Sequence, residues 1–226
     1  MPAAYARAFT REEVAAHARI VARRGAALAH AELCQGPSRS LVCVVADDRP
    51  GLLALLTDAL LVQAVGIRSA QVYCRARPDG TTEAVDFLDL QASRAGNGFE
   101  ASELEAFVHS LSELIAEDIQ ASARPSAAPV ARVPAARAYF ELEALRRNQY
   151  VLLVEAPDSQ GLLHGITSAL HAQGARILSC QIGTEAGTAR DRFELASVSG
   201  ERLTAVELCD LQLAVLDSLP RSRDIG

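Results

Sequence analysis

A short turn motif carries residue types able to hold a small anion at the start of a helix. Asp48-Arg49-Pro50-Gly51-Leu52 follows an apolar run and opens a helical pattern. Asp48 is predicted to cap this helix, Pro50 to stand at or near its first position, and Gly51 to let a ligand approach closely. Because free N–H groups at a helix start attract anions, the motif indicates a carboxylate site. The alternative is a turn that only begins a helix and binds nothing.

The same motif occurs a second time, which indicates two copies of one module. Asp158-Ser159-Gln160-Gly161-Leu162 lies 110 residues beyond the first motif, and residues 48–72 align with 158–182 without a gap. Eleven of these twenty-five pairs are identical, too many for a chance likeness between two turns. Self-similarity at a fixed spacing sets the architecture of a chain, so the repeat predicts two small modules.

The elements around each motif predict an α+β fold. Apolar runs and helical periodicity give the order strand, helix, strand, strand, helix in both copies, at 41–46, 52–63, 67–75, 83–90 and 102–119, then at 150–156, 161–173, 175–184, 188–197 and 204–219. Short right-handed crossovers then predict two ferredoxin-like βαββαβ modules. Their helices are expected on one face of an antiparallel sheet, with an additional N-terminal helix.

The remaining segments set the domain boundaries. Residues 1 to about 33 are predicted to form a helix, with a capping box between Thr10 and Glu13. Residues 121–148, rich in Ala, Pro, Ser and Arg at their start, are typical of a linker that can include an extra strand. The second module either lacks a fourth strand or borrows residues 138–142. The expected domains are 1–37 (N-terminal helical segment), 38–120 (module 1), 121–148 (linker) and 149–226 (module 2).

Composition narrows the functional classes. The net charge of −6 and the 4% aromatic content predict no nucleic-acid partner. No apolar run reaches the roughly 20 residues that span a bilayer, and no signal peptide is evident, so we expect a cytoplasmic protein without membrane association. The five cysteines form no CxxC pair, and we expect neither a metal nor a cofactor. No catalytic motif stands out, which predicts that the protein is not an enzyme.

Both copies resemble ACT domains, small ferredoxin-like modules that bind amino acids and regulate the proteins carrying them. The likeness rests on residues 45–53, 66–72 and 84–87 in the first copy and on residues 156–163, 176–182 and 191–193 in the second. A narrower resemblance, through residues 9–18 and 132–134, is to the C-terminal regulatory region of the bifunctional protein-PII uridylyltransferase/uridylyl-removing enzymes.

The resemblance implies a ligand site between the helix-one turn of one module and strand two of its neighbour. Strand two departs from the family, which often has Asn there: Gly66 removes that amide, and Arg176 replaces it with a cation able to pair a carboxylate. If only one copy keeps a family-like pocket, the turn favours the first copy, whereas neither copy keeps the family pattern in strand two. The candidate ligand-binding residues are Asp48, Arg49, Pro50, Gly51, Leu52, Gly66, Ile67, Asp158, Gln160, Gly161, Leu162 and Arg176.

The resulting hypothesis is a regulatory protein that senses an amino acid. By resemblance, glutamine is the first ligand to test, and a protein partner in nitrogen signalling is implied. Two alternatives remain: a scaffold that pairs modules or chains without a small molecule, and a separate regulatory subunit of a uridylyltransferase. Because each module leaves a sheet edge that needs cover, we also expect a homodimer.

Overall fold

A computed structural model describes residues 1, 3–34, 41–91, 101–120, 136–141 and 148–219. The helices in these ranges are α1 (Ala3–Ala8), α2 (Arg11–Arg24), α3 (Leu52–Val62), α4 (Ala101–Gln120), α5 (Leu162–Ala172) and α6 (Ala205–Ser218). The strands are β1 (Ala29–Leu33), β2 (Leu41–Asp47), β3 (Gly66–Ala76), β4 (Thr82–Gln91), β5 (Arg137–Phe140), β6 (Gln149–Pro157), β7 (Ala175–Glu185) and β8 (Thr188–Ser197). Most of the predicted linker, at 121–135 and 142–147, lies outside the described residues.

The eight described strands form one antiparallel sheet, in the order β1-β2-β4-β3-β7-β8-β6-β5. Each half of the chain contributes four neighbouring strands, and the pairing of β3 with β7 joins the halves. Successive strand residues point to opposite faces, so Val44 lies in one core cluster while Cys43 and Val45 lie in another. The predicted α+β class and antiparallel sheet are confirmed.

Four helices cover one face of this sheet. The helices α3 and α5 pack against each other at the centre, with α4 beside α3 and α6 beside α5. Their fully buried side chains include Leu56, Leu60, Phe107, Leu111, Ile166 and Leu170. Burial of each such side chain contributes about 1.5–3 kcal/mol, so this layer supplies much of the core. No helix in the described ranges is long and apolar enough to cross a membrane.

The opposite face of the first half is covered by the N-terminal segment. Tyr5 of α1 and Phe9 pack on Tyr73 and Phe87 of the sheet, with ring centroids 4.6–6.2 Å apart. The predicted N-terminal helix therefore contributes a second, smaller core on the far side of the sheet.

A buried ion-pair cluster fastens α2 to the sheet. Arg24 and Glu83 are 5% and 2% exposed, and Arg24 Nη1 lies 3.0 Å from Glu83 Oε1. Arg75 and Arg77 bind the same carboxylate. Burial alone would raise the pKa of Glu83, but hydrogen bonds from Arg77, Arg24 and Arg75 outweigh it and lower that pKa. The cluster therefore keeps a charged carboxylate inside the fold.

The prediction of one helix from residue 1 to about 33 is wrong, because this segment forms two helices, α1 and α2, followed by a strand. The capping box of Thr10 and Glu13 is confirmed at the start of α2, but Ala29–Leu33 forms β1, which pairs with β2. The alanine-rich segment favours a helix locally, yet the unpaired backbone groups of β2 offer a ladder that outweighs this preference. The alternation of buried Ala29 and Ala31 with more polar neighbours was the available signal.

The outer strand of the second half comes from the segment that precedes it. Arg137–Phe140 (β5) pairs antiparallel with β6, which confirms the alternative of a borrowed strand. In the first half β1 holds the equivalent place beside β2. Both outer strands therefore precede their βαββα unit, and the predicted order with a final strand is wrong for the described residues. Residues 35–40, 92–100 and 220–226 also lie outside the described part of the chain.

Candidate functional site

Each repeated motif folds into a tight turn that starts a helix. The amide of Leu52 donates to the carbonyl of Arg49 at 3.2 Å, and Gly51 has a φ of 81° and a ψ of −3°. The second turn repeats this geometry, with a 3.1 Å bond from Leu162 to Ser159 and a φ of 84° at its glycine. These are the features of a type II turn, whose left-handed third position favours glycine.

The helix starts are not capped as the sequence predicted. Gly51 is itself the N-cap of α3, so Pro50 lies one residue before the cap and Asp48 does not cap the helix. Gly161 has the same role for α5, and neither helix receives a side-chain cap in the structure. Both helices thus begin with N–H groups that no side chain caps, and such groups favour an anion.

A cleft of about 450 Å³ lies beside the second turn, and we call it the open cleft. One wall comes from the turn before α5 and from β7 and β8, whereas the other comes from the end of α3 and the start of β3. Its lining includes Asp158, Gln160, Gly161, Leu61, Gly66, Ile67 and Asp191. The volume lies within the range of about 300–1,000 Å³ that is typical of small-molecule sites.

The equivalent place beside the first turn holds only about 30 Å³, and we call it the closed cleft. It is built from the turn before α3, from β3 and β4, and from the end of α5 and start of β7. Its residues match those of the open cleft at an offset of 110, or of 105 on β4 and β8. The matched pairs include Asp48/Asp158, Gly51/Gly161, Val72/Ile182, Ala84/Ala189 and Asp86/Asp191.

The two clefts differ in whether an arginine is present. Arg176 donates from Nη2 to the carboxylate of Asp48, whose side chain is only 6% exposed. The residue 110 positions earlier is Gly66, which brings no side chain toward Asp158. Asp158 is consequently exposed at the mouth of the open cleft.

A histidine marks a second difference. The ring of His171 lies over the first turn, so close that a β carbon on Gly51 would be 2.8 Å from it. In the open cleft the equivalent residue is Leu61, and the same position on Gly161 would be 3.8 Å from it, an ordinary contact distance. The first turn is therefore covered and the second is accessible.

A buried carboxyl group lines each cleft. Asp191 is 3% and Asp86 is 2% exposed, and Oδ1 of each has no hydrogen-bond partner among the described residues. Burial raises the pKa of Asp191 to about 7, and the charge of Asp158 adds to this effect. Burial, reinforced by the charge of Asp48, raises the pKa of Asp86 to about 8. Near neutral pH both groups are able to donate a proton in a hydrogen bond.

The predicted site residues are divided between the two clefts. The open cleft is lined by Gly66, Ile67, Asp158, Gln160, Gly161 and Leu162. The closed cleft is lined by Asp48, Arg49, Gly51 and Leu52, with Arg176 bound to Asp48. Pro50 is exposed ahead of the helix, and Arg49 forms an ion pair of 2.6 Å with Asp118 of α4.

The larger cavity lies at the second turn, although the first turn is the one that resembles the family more closely. The turn residues alone favour the first copy, but Arg176 of the second strand two binds Asp48 of the first turn, an intramolecular partner that the sequence did not predict. Asp86, Asp191 and His171 were not predicted as cleft residues either. The repeat offset contained the signal, because residues 61 and 171 are equivalent positions and so are 86 and 191.

Comparison with curated proteins yields distant relatives. The chain is similar to two bifunctional uridylyltransferase/uridylyl-removing enzymes. It is 27% identical to the enzyme of Streptomyces coelicolor over 180 residues, which cover 78% of this chain. It is 28% identical to that of Phenylobacterium zucineum over 218 residues, or 90% of this chain. In both cases the chain spans only 22% of the relative's length, so the similarity concerns a part of those enzymes.

Other comparisons add little. No protein-family model matches the sequence. A protein of unknown function from Galdieria sulphuraria aligns with 77% of this chain and 89% of its own, at 19% identity and a TM-score of 0.25. A 6-hydroxy-D-nicotine oxidase from Arthrobacter nicotinovorans aligns with 78% of this chain and 42% of its own, at 12% identity and a TM-score of 0.26. Structural likeness at this level carries no argument about function.

Proposed function

We propose that this chain is a regulatory protein that binds a free amino acid in the open cleft. The observation that carries the proposal is an uncapped helix start and two carboxyl groups, Asp158 and Asp191, that line one cleft of about 450 Å³. The helix start suits the carboxylate of an amino acid. Asp158 suits its ammonium group.

The remaining lining suits a side chain that is partly apolar and ends in a polar group. Leu61, Val65 and Ile67 supply apolar surface, whereas Gln160 and Gln91 supply amide donors and acceptors. Glutamine has this combination of a short apolar stem and an amide. Glutamine is also the first candidate that the resemblance to ACT domains implies. In this proposal both halves of the chain are such domains.

The regulatory part of the proposal follows from the position of the cleft. Its walls come from both halves, so a ligand that contacts both stabilises one arrangement of the halves over others. The similarity to uridylyltransferase/uridylyl-removing enzymes supports a role in nitrogen regulation. In that role the chain is a sensor, without catalysis of its own, that acts either as part of such an enzyme or as its separate subunit.

Isothermal titration calorimetry with each of the twenty amino acids tests the proposal. We expect one amino acid, glutamine first, to bind with a measurable heat. The variant Gly66→Arg places a guanidinium group opposite Asp158, as Arg176 stands opposite Asp48, and should abolish binding. Its β carbon would lie 3.5 Å from Gln91, so the substitution fits the backbone. Gly183→Arg, where a β carbon would have no neighbour within 4 Å, is the matched control and should bind normally.

A scaffold without a small ligand is the second candidate. The strands β1 and β5 end the described sheet on either side, and Tyr139 on β5 is 43% exposed. Such edges are surfaces on which another chain can add a strand. If no amino acid gives heat or a thermal shift while sedimentation shows a dimer, the scaffold replaces the sensor. The homodimer itself stays a prediction until that measurement.

A further inference from the structure

We infer that Arg176 acts as an intramolecular substitute for a ligand in the closed cleft, so that each chain has one ligand site and one latent site. The inference rests on the proposed function for its statement about stoichiometry. Its statement about the closed cleft rests on the structure alone.

The first support is that the two clefts are otherwise the same construction. Turn, helix start, buried carboxyl and flanking strands recur in both, at offsets of 110 and 105 residues. A repeat that preserved all of these elements would be expected to preserve two cavities. The cavity is about 450 Å³ at the second turn and about 30 Å³ at the first. Two pairs of equivalent residues, Gly66/Arg176 and Leu61/His171, differ between the two clefts in size or charge.

The second support is the contact that Arg176 makes. Its guanidinium group binds Asp48, while its Nε is buried and has no hydrogen-bond partner in the part of the chain that the structure describes. Asp48 belongs to the first half and Arg176 to the second, so this ion pair connects the two halves across the cleft. A ligand in the open cleft that places a cationic group on Asp158 would make the equivalent connection. The ion pair therefore indicates which end of a ligand Asp158 receives.

The third support is the role of His171 beside it. The ring covers Gly51 on the same side of the closed cleft, where the open cleft has only Leu61. Two differences between the copies, His171 on α5 and Arg176 on β7, thus lie against the same turn, one at Gly51 and the other at Asp48. A single ion pair formed by chance on the surface would not require the second.

The test uses a variant that opens the closed cleft. The variant Arg176→Gly/His171→Leu copies the residues of the open cleft into the closed one. In calorimetry with glutamine, or with whichever of the twenty amino acids binds the wild type, we expect the stoichiometry to rise from one to two per chain. A variant that still binds one equivalent, or a wild type that binds two, overturns the inference and leaves the proposed function in place.

A second measurement does not depend on any amino acid. Ethylguanidinium at millimolar concentration should raise the melting temperature of Arg176→Gly by about 2–4 °C, because binding to the folded state stabilises it. It should not do so for the wild type or for Arg176→Gly/Asp48→Asn. No rise in Arg176→Gly overturns the inference even if the wild type binds no amino acid, a result that would count against the proposed function separately.

If the variants that lack Arg176 do not fold, the reverse substitution in the open cleft tests the same inference. Gly66→Arg should raise the melting temperature by about 2–4 °C through a new pair with Asp158. Gly66→Arg/Asp158→Asn should lose this rise. An equal melting temperature for both variants means that an arginine at this position does not substitute for a ligand, and the inference fails.

Discussion

The hydroxyl groups of Thr57 and Thr167 lie 3.2 Å apart where α3 meets α5. These residues are equivalent in the repeat, at an offset of 110. In the sheet below, Gln71 of β3 lies opposite Gln181 of β7, again with an offset of 110. A residue meets its own equivalent only on a two-fold axis, so an approximate two-fold axis relates the halves within one chain.

The helices α5 and α6 approach each other closely at a glycine, and we expect Gly165→Ala to destabilise the protein. A β carbon at this position would lie 2.6 Å from the backbone carbonyl oxygen of Ser218, and backbone cannot move aside as a side chain can. Overpacking of this kind costs about 1–3 kcal/mol. Urea denaturation measures the loss. Gly183→Ala, where a β carbon meets no atom within 4 Å, should stay within about 0.5 kcal/mol of the wild type.

The buried carboxyl groups predict a pH dependence of stability. The pKa of Asp191 is raised from 3.8 to about 7 and that of Asp86 to about 8 in the folded protein. The folded state therefore holds protons that the unfolded state has released. The associated stability is fully present below pH 4 and is lost as the pH rises through 7 and 8. The free energy of unfolding should consequently fall between pH 5 and pH 9.

Replacement of one buried carboxyl by an amide checks this assignment. Asp191→Asn removes the titrating group, so at pH 9 it should raise the free energy of unfolding by on the order of 2 kcal/mol, with little change at pH 4. Asp210→Asn makes the same charge change on the exposed side of α6 and should alter neither value. If Asp191→Asn is equally stable relative to the wild type at both pH values, the carboxyl is charged in the fold and its raised pKa is wrong.

The two turn glycines should respond differently to the same substitution. Both have a φ above 80°, so Gly51→Ala and Gly161→Ala each carry a backbone penalty of about 1–2 kcal/mol. Only Gly51→Ala also displaces the ring of His171, which lies within 2.8 Å of the new atom. We expect its melting temperature to be the lower of the two. In a His171→Ala background this difference should disappear, and its persistence there would show that the ring is not the cause.

The buried ion pair of α2 should matter more than its exposed neighbour. Arg24→Met leaves the carboxylate of Glu83 without one of its partners in a site that is 2% exposed, a loss of about 2–4 kcal/mol. Arg23→Met removes an ion pair with Glu32 whose arginine is 58% exposed, a loss below about 1 kcal/mol. Equal losses in urea denaturation would contradict the assignment of Arg24 as the anchor of α2. The rate of amide hydrogen exchange in α2 is a second measurement of this effect.

Much of the fold was accessible from local patterns. The strand at Thr188–Ser197 was predicted at its observed bounds, because an apolar stripe and flanking turns specify it locally. The strand β1 was not, since its alanine-rich sequence favours a helix locally and only its pairing with the free edge of β2 makes it a strand. The partner of β5 was undecided because it also depends on such an edge. Propensity describes a segment, whereas strand pairing depends on where the rest of the chain leaves a free edge.

The candidate site was accessible only in part. The turn residues were found because glycine and proline mark turns directly. Gly66 and Arg176 were found because they stand where ACT domains, which both copies resemble, often have Asn. The closure of one cleft was not foreseen, since it depends on Arg176 reaching Asp48 from the other half. Asp86 and Asp191 carry no local mark of function, because their raised pKa values arise from burial among residues that the fold assembles.

The covalent connection between the halves has an evolutionary consequence. In an assembly of two identical single-module subunits, a mutation that fills one cavity necessarily fills its twin. Duplication within a single gene removes that constraint, because codons 66 and 176 can diverge separately. One site is then free to be filled by the ion pair of Arg176 and Asp48 while its counterpart stays open, a difference that a strictly symmetric homodimer is unable to reach.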